Sequence, residues 1–379
     1  MDEFSSLTIR LELLMNASLL LTLTIIFVAA AFLVAAIMPA AIRLAVRRGF
    51  VDIPQGRKEH DRPVPPIGGL LILPVFFCIA PFVGLDPLSH WSLYVGLFLL
   101  GLTGTLDDRI DLSASTKLFI QIAVATLIAV SGDAVLSNLG HLFGAPNDLP
   151  LGWLSIPFTV ACFVFLINAM NMIDGVDGLA GGIAFSAFAW LAVASWMGAD
   201  FLWIGIAVVL MGAIAGFLVH NMRYPGHARA TVFLGDAGSM SLGLLIAYVA
   251  INTAQATTPG LFPIAAALII LVPIVDAFAL FIARVRAGRR AFEPGRDHFH
   301  HHLLSAGLRP GQVTALICGI SFVFGGIGVL GPQIGLGEGA QTFLWAGVLL
   351  GYTFWLCKRL KSMYKPLEII KENTGKTCA

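Results

Sequence analysis

The chain has 379 residues, of which 58% are hydrophobic and 12% charged, and its formal net charge is +1. An ordinary soluble domain carries about 25% charged residues and needs them to cover its surface. The composition therefore excludes a soluble globular protein, a disordered chain and a nucleic-acid binder with a broad basic face. It predicts an all-α polytopic membrane protein, built as a single domain over 1–379.

The N-terminus does not read as a cleavable signal peptide. Asp2, Glu3, Arg10 and Glu12 precede the first apolar run, and the basic residues Arg43, Arg47 and Arg48 follow it. The five cysteines, Cys78, Cys162, Cys318, Cys357 and Cys378, form no CxxC pair and read as reduced apolar filler.

Apolar runs that can cross about 30 Å of hydrocarbon recur along the chain. Eleven are expected, at roughly 18–41, 67–84, 92–106, 117–131, 152–168, 179–198, 200–220, 234–253, 261–283, 311–332 and 341–358. The shortest of them also suit re-entrant or buried segments. Of the 23 Lys and Arg residues, all but Arg10 fall in alternate connections or in the tail. The positive-inside rule then places those connections and the C-terminus in the cytoplasm and the N-terminus outside, which an odd number of spans satisfies. The longest outward segment, 132–151, has room for a small hairpin.

Polar residues cluster in the same connections: 42–66, 107–117, 168–178, 221–236 and 284–310, with a tail at 360–379. The first connection carries Arg57, Lys58, His60 and Arg62 before Pro65-Pro66-Ile67-Gly68-Gly69. Such bases suit either anionic headgroups or a bound phosphate. The second carries Asp107-Asp108-Arg109-Ile110-Asp111. Three carboxylates in five residues repel one another, which suggests Mg²⁺, an arginine partner or a proton-accepting role.

In the third, polar residues recur every three positions at Asn168, Asn171, Asp174 and Asp177, and Gly175 and Gly178 mark where a helix opens into a loop. Amide and carboxylate oxygens suit Mg²⁺ and the donors of a sugar or uracil ring. In the fourth, Asp236 stands between Gly235 and Gly238 at the start of an apolar run, as a hard ligand or as part of a simple turn.

The fifth holds His298, His300, His301 and His302 beside Arg284, Arg286, Arg289, Arg290 and Arg296. Zinc, a pH sensor and an anion site compete here. The arginines, and the lack of Cys or HExxH, favour an anion. Asp276 lies inside the ninth run, where an ionisable residue is a functional candidate or the structural partner of an arginine.

Carboxylates suited to Mg²⁺ and bases suited to phosphate, gathered on one side of a membrane, fit phosphoryl transfer between a soluble and a lipid substrate. The segments VDIPQGRKEHDRPVPPIGG, LDDRIDLS, NAMNMIDGVDGLAGG, FLGDAGSMSLG and RDHFHHHLLSAG, in this order, resemble the polyprenyl-phosphate N-acetylhexosamine-1-phosphate transferases. Within that family the likeness is greatest to the bacterial WecA type.

The resemblance implies an enzyme that moves GlcNAc-1-phosphate from UDP-GlcNAc to undecaprenyl phosphate and releases UMP. That reaction is the first lipid-linked step of cell-envelope polysaccharide synthesis. It implies Mg²⁺, with Mn²⁺ as a substitute, a location in the bacterial inner membrane with the active site facing the cytoplasm, and compatibility with a homodimer. No nucleic acid is implied.

Residue by residue, Asp107 and Asp108 match the family's paired aspartates at the lipid phosphate and metal. Asn171 and Asp236 match positions at Mg²⁺ and diphosphate. Asp174 and Asp177 match an acidic pair tied to nucleotide binding and catalysis. Lys58, His60, His298, His300 and His301 match its basic and histidine loops, and Asn168, Arg286 and Arg296 join them as substrate-binding candidates. His302 and Asp276 receive no role.

Two other readings make distinct predictions. An MraY-type phospho-MurNAc-pentapeptide transferase tends to carry a basic residue where this chain has Asp111. An ion-coupled transporter places its charges near the bilayer midplane.

Overall fold

A backbone in lipid must satisfy its own hydrogen bonds, which confines spanning chains to helices or closed barrels. The apolar runs here take the helical solution. The computed structural model describes residues 2–53, 62–257, 260–289, 295 and 297–375, with side chains described for residues 17–361 of these. Thirteen α-helices lie among them. They are α1 (Asp2–Arg47), α2 (Gly68–Ile79), α3 (Trp91–Ile110), α4 (Ala114–Ser131), α5 (Ser155–Ile173), α6 (Leu179–Met197) and α7 (Phe201–Asn221). The remainder are α8 (Gly235–Ala254), α9 (Pro263–Ile269), α10 (Leu271–Arg286), α11 (Phe299–Ser305), α12 (Pro310–Leu330) and α13 (Glu338–Gly375).

Each of the eleven apolar runs falls on a helix, but not always on a full crossing. Among the described residues, eight helices are long and apolar enough to cross a membrane. The run at 261–283 is broken instead: α9 and α10 meet at 82° and together make a ninth candidate. Pro273 sits in the first turn of α10 and lacks the N–H that would continue the ladder from α9. The run at 67–84 is only a short helix, α2, closed by a 3-10 turn over Ala80–Val83. The run at 92–106 forms α3, whose last turn is polar.

Local signals set several boundaries. Ser113 caps α4 by accepting the Thr116 N–H at 3.2 Å, and Asp200 caps α7 through the Trp203 N–H at 3.4 Å. α3 stops at Asp111, which adopts φ 54°. Segment 132–151 does form a small hairpin, with Leu139 and Leu149 paired through Leu139 N–H to Leu149 O at 2.9 Å. Gln255 Oε1 accepts the Ser137 N–H at 2.9 Å, and Glu338 Oε2 accepts the His141 N–H at 3.0 Å, so two distant helix ends hold the hairpin. Cys78, Cys162, Cys318 and Cys357 are free.

α8 is the axis of the bundle. It is buried on nearly every face and packs against α2, α3, α5, α6, α7 and α9. A helix apolar all round belongs in such a place. Its N-terminus is reached by two glycines at backbone distance. A Cβ on Gly69 of α2 would land on the Gly238 nitrogen, and one on Gly104 of α3 would land on the Ala237 nitrogen. Small residues at crossings let helix backbones approach within a membrane.

Gly104→Ala is expected to force α3 off α8, at the overpacking cost of about 1–3 kcal/mol. Thermal unfolding in detergent should show a lower midpoint for Gly104→Ala. Gly347→Ala on α13, whose Cβ would meet nothing within 4 Å, should leave the midpoint unchanged. Equal midpoints for the two variants would mean that α3 and α8 are not held at glycine distance.

Candidate active site

The glycine crossing decides where the acidic residues go. α3 ends beside the first turn of α8, so Asp107 and Asp108 meet Asp236. The Asp236 N–H donates to both Asp108 carboxylate oxygens, at 3.1 and 3.3 Å. An exposed helix N–H end attracts a carboxylate in this way. Gly235 makes the turn with φ 75°, and a side chain there would strike Pro66 O and the Asp108 carboxylate.

Asp107 accepts the Leu112 N–H at 2.7 Å and pairs with Lys117 Nζ at 2.6 Å. Lys117 also lies 3.5 Å from Asp236 Oδ2, so one lysine of α4 bridges two of the three carboxylates.

α5 contributes the second group. Asn171 Nδ2 donates to Ser239 Oγ of α8 at 3.0 Å, which sets it one turn from Asp236. Asn168 turns inward, donating to Gln121 Oε1 at 2.6 Å and to Val164 O at 2.8 Å, and does not line the cavity. α5 ends at Ile173, and Gly178 opens α6 at φ 78°, so the expected helix-to-loop transition holds.

Asp174 faces the cavity. Asp177 accepts from Arg223 Nε at 2.6 Å and from the Ala230 N–H at 3.2 Å. Asn221 fixes the same loop by accepting the Gly178 N–H and donating to Val232 O, both at 2.8 Å.

These residues surround a cavity of about 990 Å³. Asp107, Asp108, Asp111, Asp174, Asp177 and Asp236 line it, with Arg109, Arg223 and His301 also on its wall. Asp52 contributes from the first connection, where it pairs with Val64 across the neck of the loop. Lys58, His60 and Arg296 lie outside the described residues.

The histidines divide. His301 reaches the cavity wall. His300 is buried against Gly175 and stacks on His298 with centroids 5.6 Å apart. Burial, then the neighbouring His301 and His298, push His300 down to about 3, so it is a neutral imidazole at physiological pH. His298 Nδ1 lies 2.9 Å from Asp276 Oδ2. His302 turns to Trp355 of α13, ring edge to face at 5.3 Å. The neighbouring arginines are also distributed. Arg284 and Arg289 pair with Asp297 at 3.5 and 3.2 Å, and Arg286 is exposed away from the cavity.

Negative charge exceeds positive charge on this wall. Asp174 registers the excess: burial, followed by the charges of Asp236 and Asp177, pushes it up to about 7. No three His, Cys, Asp or Glu side chains among the described residues already form a metal cage. The donors nonetheless fit Mg²⁺, which prefers hard oxygens, keeps several waters and needs only one or two carboxylates beside phosphates. Asp107, Asp108 and Asp236 offer such oxygens on the cavity wall, while Asn171 lies behind Asp236 and does not line the cavity.

Sequence reasoning missed Lys117 and Asn221 as site residues. A lysine in the first turn of an apolar helix was the available signal for Lys117. Asn221 gave none, because its partners are backbone groups of other elements.

The fold and site define a multi-pass membrane protein with a carboxylate-lined cavity at one end of a helix bundle. The sequence model of glycosyl transferase family 4 matches residues 90–254. The undecaprenyl-phosphate alpha-N-acetylglucosaminyl 1-phosphate transferase of Escherichia coli (strain K12) is 33% identical over 291 residues, covering 76% of this chain and 78% of its own. That of Yersinia pestis is 31% identical over 298 residues, covering 78% and 80%. A probable undecaprenyl-phosphate N-acetylglucosaminyl 1-phosphate transferase of Bacillus subtilis (strain 168) is 32% identical over 310 residues, covering 80% and 84%. The chain belongs to this family, the polyprenyl-phosphate N-acetylhexosamine-1-phosphate transferases that its motifs resemble.

In the metal-free protein, infrared titration should show a protonated-carboxyl band that fades as pH rises through about 7. Asp174→Asn should lose the component of that band that fades near 7, leaving the contribution of its acidic neighbours. A band that fades only in the ordinary carboxylate range would show that Asp174 carries no excess negative surroundings.

Proposed function

We propose that the protein transfers GlcNAc-1-phosphate from UDP-GlcNAc to undecaprenyl phosphate, giving undecaprenyl-diphosphate-GlcNAc and UMP. The observation that carries this reading is the junction of Asp107, Asp108 and Asp236 at the start of α8, facing a cavity with Arg109, Arg223 and His301 on its wall. A lipid phosphate meeting a nucleotide diphosphate brings several negative charges together. Positioning and charge neutralisation are then most of what catalysis requires. The relatives' names print undecaprenyl phosphate and N-acetylglucosaminyl 1-phosphate, which supports the lipid acceptor and the sugar that is moved.

In this reading the lipid phosphate oxygen bonds to the sugar-linked β-phosphorus, and the bond from that phosphorus to UMP breaks in line. Mg²⁺ held by Asp107, Asp108 and Asp236 would supply positive charge for the diphosphate. Lys117 sits between Asp107 and Asp236 and supplies a fixed positive charge to the same patch. Arg223 holds Asp177 and the loop around it, and His301 offers a ring to the phosphates or sugar.

The distribution of Lys and Arg supports a cytoplasmic cavity in a bacterial inner membrane, with the N-terminus outside. The acidic cluster sits at the end of α3 and not halfway along it, which favours an interfacial transferase over a transporter.

Proteoliposomes carrying the protein should release UMP only when UDP-GlcNAc, undecaprenyl phosphate and Mg²⁺ are all present. Asp236→Ala should lower the rate on the order of 100-fold, as loss of one electrostatic stabiliser does. Normal Mg²⁺-dependent turnover by Asp236→Ala would remove the metal assignment. UMP release from UDP-MurNAc-pentapeptide in place of UDP-GlcNAc would move the chain to the MraY branch.

A further inference from the structure

Asp276 and His302 have no task in that scheme, and the structure links both to α13. Asp276 is 3% exposed, and a carboxylate so deeply buried requires partners. It has three. His298 Nδ1 lies 2.9 Å from Oδ2, the Phe299 N–H donates to Oδ1 at 2.9 Å, and the Tyr352 O–H donates to Oδ1 at 2.7 Å. One carboxylate of α10 thus ties the start of α11 to α13.

An ionised carboxylate only accepts, so His298 carries a proton on Nδ1. Aromatic contacts extend the link. The Phe299 and Tyr352 rings meet edge to face at 5.7 Å, Tyr352 stacks on Trp355 at 5.5 Å, and Trp355 receives the edge of His302. α11 is therefore fastened on both sides of His300 and His301, and between those anchors His301 reaches the cavity.

We propose that Asp276 and Tyr352 are positioning residues for the proposed transfer. They act through His298 and α11 to hold His301 at the cavity wall. The inference rests on the transferase reading of that cavity, and it makes α13 part of the active-site architecture. The segment matched by the family model, 90–254, contains none of these residues.

Tyr352→Phe removes one hydrogen bond and keeps the ring. It should lower kcat about tenfold, as expected for one bond to a charged acceptor. Asp276→Asn keeps the shape but loses an acceptor for His298, and should lower kcat about 10- to 100-fold. Both variants should change KM for UDP-GlcNAc less than kcat.

The deciding measurement is a double-mutant cycle. On a His298→Ala background, Asp276→Asn should cost far less than it does alone, because its route to the reaction has been removed. A merely structural aspartate would give losses that add. Should Asp276→Asn fail to fold, the Tyr352→Phe/His298→Ala cycle makes the same decision.

Hydrogen exchange on the full chain in detergent supplies a readout that needs no substrate. Exchange over 298–305 should quicken in both variants, while α8 stays unchanged. Additive losses, or unchanged exchange over 298–305, would overturn the positioning role. A wild-type protein that releases no UMP yet shows the quickened exchange in its variants would sink the transferase reading alone.

Discussion

The site depends on a backbone contact between helices. Gly69 and Gly104 let α2 and α3 touch the first turn of α8. That approach carries the Asp108 carboxylate onto the Asp236 N–H, while the turn from α3 to α4 brings Lys117 to Asp107. A larger residue at either glycine would separate α8 from the acidic end of α3. The acidic cluster is therefore a product of helix packing, and its chemistry follows from where three helix ends are forced to meet. α8 can serve as the axis because its only charged residue, Asp236, lies in that first turn.

Charge balance follows from the same contact. Seven aspartates share a cavity with few fixed cations, and Asp177 already takes Arg223. Burial, and after it the like charges of Asp236 and Asp177, raise the proton affinity of Asp174. Lys117 relieves part of the repulsion between Asp107 and Asp236. A wall with this surplus disfavours a bare anion.

Much of this was legible in the sequence, for identifiable reasons. Apolar runs find helices because lipid leaves the backbone few alternatives. Clusters within a few residues, such as Asp107–Asp111 and Asn171–Asp177, were legible because local spacing fixes their shared neighbourhood. The convergence of Asp107, Asp108, Asp174 and Asp236 was expected from motif order and the one-sided distribution of charge.

Tertiary pairings were not legible. Asn168 fits the three-residue repeat of its cluster, yet Gln121 draws it inward. Arg284 and Arg289 read as anion ligands, yet Asp297 holds both. The break at 82° between α9 and α10 lies within a run whose hydropathy is continuous, with Pro273 as its only local trace. Tyr352 is 76 residues from Asp276, and nothing in either neighbourhood announces the other.

The cavity therefore has two walls of different physical origin. The acidic wall is set by the glycine contacts of α2 and α3 with the buried helix α8. The histidine wall is a seven-residue helix, α11, too short to be stable by propensity alone. It holds its place through a few polar and aromatic contacts to α10 and α13. A short helix fastened at its ends holds its place independently of the cavity carboxylates. The division puts rigidity where charge must be held against repulsion. Burying Asp276 among three donors makes this arrangement workable, because a surface ion pair would be too weak to hold α11 in register.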